Sequence, residues 1–76
     1  MFKKYRRNKK LRKIVEKLEV GLAIVQGRID YYEADLRLNW DDPDIAMSSA
    51  MELAWFYNKK MEIVNLLLQI QKLLKK

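Results

Sequence analysis

Apolar residues in the first half of the chain fall at Leu11, Val15, Leu18, Leu22, Val25, Ile29, Tyr32 and Leu36. The steps alternate between four and three residues, a heptad repeat that predicts one long helix with a single buried seam. That helix is expected over about 9–39. The segment Asn39-Trp40-Asp41-Asp42-Pro43-Asp44 then interrupts it. Asp41 or Asp42 is a suitable N-cap, Pro43 suits the first helical position, and Asp44 in the first turn faces the positive end of the helix dipole. A turn at 40–43 and a second helix over about 44–75 follow.

The second helix carries its own alternating repeat: Met47, Ala50, Ala54, Tyr57, Met61, Val64, Leu68 and Gln71. If the chain folds back on itself, the two seams meet in a constant register. Leu36 faces Met47, Ile29 faces Ala54, Leu22 faces Met61 and Val15 faces Leu68. The expected fold is all-α, an antiparallel two-helix hairpin over residues 9–76 preceded by a basic arm at 1–8. Trp40 is expected to cover the end of the bundle into which such hairpins assemble.

Both helices have more apolar surface than one seam can cover. Val20, Ile24, Gly27, Tyr31, Ala34 and Leu38 lie opposite the seam of the first helix, with small residues at Gly27 and Ala34 that allow close approach. On the second helix Phe56, Ile63, Leu67, Ile70 and Leu74 form a further stripe. These two stripes are expected to be an oligomer interface, the hairpins associating as a homodimeric four-helix bundle. Size argues the same way. A chain of 76 residues buries a modest core and generally needs a disulfide, a metal or a partner, and this one has no Cys and no His.

The missing His and Cys also narrow the chemistry. Ser48 and Ser49 have no imidazole to activate them. The pairs Glu16/Glu19 and Asp30/Glu33 have helical spacing but lack the His that dinuclear metal sites in helical bundles require. Asp41, Asp42 and Asp44 lack the spacing, Gly and closing Glu of a calcium loop, and capping accounts for them. No enzymatic activity, cofactor or metal is expected. The most apolar stretch, 63–70, is far shorter than the roughly 20 residues of a membrane span. No apolar signal core follows the basic start. A cytoplasmic location is the expectation.

Charge supplies the one pointer to a target. Lys3, Lys4, Arg6, Arg7, Lys9, Lys10, Arg12 and Lys13 place eight bases in the first thirteen residues with no acid among them. Removing those eight from the net charge of +6 leaves −2 for the rest of the chain. The hairpin brings Lys72, Lys75 and Lys76 to the same end, while Asp30, Glu33, Asp35, Asp41, Asp42, Asp44 and Glu52 gather at the turn end against Arg37 alone. The expected function is a small non-enzymatic oligomeric binding protein whose basic pole contacts nucleic-acid phosphates. A protein–protein module gripping a host or sister protein, through its apolar faces or the acidic Trp-bearing turn, is the alternative. Adsorption to an anionic membrane surface ranks third.

Overall fold

The computed structural model describes residues 2–75, with side chains from Arg6 to Lys75. The chain forms two α-helices, α1 (Phe2–Leu38) and α2 (Pro43–Lys75), packed as a hairpin. The molecule is a rod of 60 × 15 × 13 Å. Among the described residues, no helix is long and apolar enough to cross a membrane.

Helix α1 starts at Phe2, well before residue 9. Residues 2–8 contain no Gly or Pro, and Lys and Arg are good helix formers, so the basic stretch continues the helix outward as its first turns. The turn follows the predicted capping chemistry. Asp42 Oδ1 accepts the backbone N–H groups of Asp44 (3.2 Å) and Ile45 (3.4 Å), so Asp42 is the N-cap and Pro43 takes the first helical position. The Asp42 carbonyl accepts the Ala46 N–H at 2.9 Å, the first backbone bond of α2.

The seam of α1 is the predicted one. Leu11, Val15, Leu18, Leu22, Val25, Tyr32 and Leu36 are half-buried and Ile29 is fully buried. The seam of α2 differs. Met47, Tyr57, Met61 and Leu68 are exposed, while Ala46, Phe56, Ile63, Leu67, Ile70 and Leu74 are half-buried and Ser49 and Leu53 are buried. The inward repeat thus lies one residue earlier than the predicted one, equivalent to rotating α2 by about 100°. Phe56, Ile63, Leu67, Ile70 and Leu74, assigned from sequence to an outer interface, belong to this inward face.

Burial energetics explain the choice. The inward repeat offers Leu53, Phe56, Ile63, Leu67, Ile70 and Leu74; the predicted one offers two alanines and a glutamine among its eight positions. Burying a large aliphatic or aromatic side chain gains about 1.5–3 kcal/mol. Several such side chains outweigh the two polar interruptions, Ser49 and Lys60. Lys60 is half-buried, which the long apolar stem of a lysine tolerates.

Two pairs fix the register, and an aromatic stack bridges neighbouring levels between them. Ser49 meets Asp35. A Cβ on Gly21 would lie 3.9 Å from Ile63 Cδ1. The rings of Tyr32 and Phe56 stack with centroids 5.8 Å apart. From Asp35 back to Gly21 and from Ser49 on to Ile63 are both two heptads, so one register spans the rod. Twelve residues further out, Lys75 comes level with Lys9, and the backbone of residues 2–8 overhangs the end of α2 by roughly 10 Å.

The outer stripe of α1 is exposed as predicted: Val20 and Ile24 at 61%, Tyr31 at 62%, Leu38 at 80%. Nothing lies within 4 Å of a Cβ built on Gly27. Gly27→Ala is therefore expected to stabilise the fold by about 0.5–1 kcal/mol through reduced backbone entropy, read by urea unfolding followed by circular dichroism. Destabilisation instead would place another backbone against this face.

Candidate nucleic-acid interface

Six of the predicted phosphate-binding side chains on α1 are described: Arg6, Arg7, Lys9, Lys10, Arg12 and Lys13. All are exposed. The side chains of Lys3, Lys4 and Lys76 lie outside the described residues. Arg6, Lys10 and Lys13 follow one another at helical spacing along the line that becomes the apolar stripe from Val20 onward. Arg7, Lys9 and Arg12 spread the charge round the flanks. Asn8, Lys9, Arg12, Lys13 and Glu16 line a shallow groove there.

None of these cations forms an ion pair within the described residues. The single pair found there is Lys59–Glu62 at 3.4 Å, on the outside of α2. The first turn of α1 contains no acid, so its cations sit at the positive end of the helix dipole without local compensation. Lys72 and Lys75 occupy the last turn of α2, where the dipole favours them, and both are exposed. The hairpin therefore gathers the two sets of bases at one end, as the sequence predicted, with no described acid paired to them.

The turn end is built differently, because hydrogen bonds occupy several of its acids. The Asp35 carboxylate accepts Ser49 Oγ at 2.6 Å through Oδ2 and Asn39 Nδ2 at 3.1 Å through Oδ1. The Asp35 carbonyl accepts Asn39 Nδ2 and the Asn39 backbone N–H, both at 3.0 Å. Ser49, exposed by only 2%, is thus a buried polar group with its partner supplied from the other helix. Glu33 accepts the Tyr57 hydroxyl, and that bond to a carboxylate, with desolvation, raises the phenol's pKa above its ordinary value. Asp30 accepts Gln26 Nε2 at 3.0 Å. Among the described residues, no three carboxylates come together as a metal site. Trp40 is 75% exposed in the hairpin.

The Asp35–Ser49–Asn39 cluster has no counterpart in the sequence predictions. Its signal was Ser49 itself, a hydroxyl between Ala46 and Leu53 in the inward repeat. Neither family models nor curated proteins nor solved structures match this chain.

Ser49→Ala removes the donor to a charged acceptor that α2 presses against. The expected loss is about 1.5–3 kcal/mol, the range for hydrogen bonds to charged groups, measured by urea unfolding. A neutral result would mean that the clamp adds nothing to the register.

Proposed function

We propose that this chain is a small, non-enzymatic, oligomeric binding protein whose basic pole engages the phosphates of a nucleic acid. The observation that carries the reading is the cluster Arg6, Arg7, Lys9, Lys10, Arg12 and Lys13, all exposed and without an ion-pair partner among the described residues, beside Lys72 and Lys75. Phosphates at this pole would supply the negative charge that the first turn of α1 lacks, and counterion release would drive the association. Lys3, Lys4 and Lys76 extend the same charge in sequence. Recognition of this kind reads backbone charge, so binding is largely blind to base sequence.

Self-association into a dimeric four-helix bundle is part of the proposal. Ile29 and Leu53 are the only buried apolar residues among those described, a thin core for a rod of 60 Å. Val20, Ile24, Tyr31, Met47, Met61 and Leu68 are each more than half exposed, an apolar surface large enough to favour a partner. A protein–protein module is the second reading, favoured by the exposed Trp40 beside the acidic turn.

Fluorescence anisotropy with a labelled oligonucleotide duplex tests the first reading. Affinity should fall by roughly tenfold or more between 50 and 200 mM salt. The variant Arg6→Gln/Lys9→Gln/Lys10→Gln/Lys13→Gln should lose binding while keeping its helical circular dichroism. Unchanged binding by that variant, or no binding by the natural chain at low salt, would contradict the assignment.

A further inference from the structure

The stripe Met47, Ala50, Ala54, Tyr57, Met61, Val64, Leu68 keeps an alternating three- and four-residue spacing from Met47 to Leu68, yet the hairpin engages it only at its edge, through half-buried Val64 and the Tyr57 hydroxyl on Glu33. Met47 is 68% exposed, Met61 59%, Leu68 52% and Tyr57 44%. It lies beside the inward face, so α2 carries two adjacent heptad seams of which α1 occupies one. We infer that the second seam docks α2 of a second copy of this chain, antiparallel, about a two-fold axis at the level of Tyr57. This rests on the self-association proposed above and adds its surface and its orientation.

Residue sizes along the stripe favour the antiparallel arrangement. The small residues, Ala50 and Ala54, stand in its first half, and the larger Met61 and Val64 in its second. Antiparallel pairing sets Ala54 against Met61, Ala50 near Val64, and Met47 against Leu68, so each small residue meets a larger one. Parallel pairing sets alanine on alanine and methionine on methionine, leaving gaps at one end and crowding at the other.

Charge gives the same orientation by an independent route. Parallel rods would lay basic pole on basic pole and acidic turn on acidic turn. Helices in contact lie about 8–10 Å apart, comparable with a screening length of about 8 Å at physiological salt, so that repulsion would be felt. Antiparallel rods bring Lys72 level with Pro43–Asp44 of the second copy, and Lys75 level with Trp40–Asp41. In the hairpin register the level of Tyr57 on α2 corresponds to Gln26–Gly27 on α1. The same two-fold axis therefore brings Glu16, the first acid after the basic run, level with Arg37, the lone base of the turn end. Each exception to its own pole's charge meets its complement in the second copy. The overhanging turns at residues 2–8 project past the partner's turn, which leaves a basic pole free at both ends of the dimer.

The chain has no cysteine, so single introduced cysteines report proximity without background. The test uses the full chain: Met47→Cys, Ala54→Cys, Met61→Cys and Leu68→Cys, each at an exposed position, oxidised singly and in mixtures after a light-scattering mass measurement. A dimer whose Ala54→Cys and Met61→Cys forms cross-link on mixing, as do Met47→Cys with Leu68→Cys, at about tenfold the yield of either form alone, is the expected result. Efficient cross-linking of Met47→Cys to itself would mean a parallel pair. Cross-linking of Ile24→Cys to itself, with none at the α2 stripe, would move the interface to α1. Either result overturns the inference while leaving self-association intact. A monomer at all concentrations would overturn both.

Discussion

Two helices in a hairpin share one line of contact, and that line can bury only one face of each. Everything else about this molecule follows from which faces are chosen. On α1 the choice is unforced, because a single unbroken repeat from Leu11 to Leu36 lies along one side. On α2 two repeats compete one residue apart. The one richer in Leu, Ile and Phe turns inward despite a serine and a lysine in its path. That choice fixes the rotation of α2, sends Met47, Met61 and Leu68 outward, and leaves Ile29 and Leu53 as the buried apolar residues among those described.

A partner for the buried serine keeps the cost of that choice low. Ser49 would be a costly buried hydroxyl if α1 offered nothing to it, but Asp35 accepts its hydrogen bond and is held in place by Asn39. The contact sits close to the turn, where the chain is already confined by the Asp42 cap, so the two restraints act together on the start of α2. From there the register extends to the far end with Tyr57–Glu33 as the one further polar tie between the helices among the described residues. The rod is thus pinned at its acidic end, and among the described residues its basic end is held by apolar contacts before α1 runs on past the end of α2.

Much of this was legible in the residues. The α1 seam, the turn, the capping aspartate and the antiparallel hairpin all follow from spacing and from Asn39–Asp44. The rotation of α2 did not, for a definite reason. A repeat scored by unbroken apolarity favours the line from Met47 to Leu68, which has no charged residue in it, over the line from Ala46 to Leu74, which contains Lys60. Physical burial weighs side-chain size and the reach of a lysine stem, and it allows a buried serine whose partner is fourteen residues away. That pairing is invisible until the two helices are placed side by side. The basic cluster was legible as charge. Its continuity with α1 was not, because an eight-residue basic run has the composition of a solvated tail as well as of a helix.

The most direct test is isotope-filtered nuclear Overhauser spectroscopy on a mixture of labelled and unlabelled chains, which separates contacts within a chain from those between chains. Within one chain, the Ile63 methyls should contact Gly21 and the Phe56 ring should contact Tyr32, while the Met61 methyl shows no contact with Leu22. Within-chain contacts from Met61 to Leu22 and from Leu68 to Val15 would instead place the other repeat of α2 inside the hairpin and contradict the account.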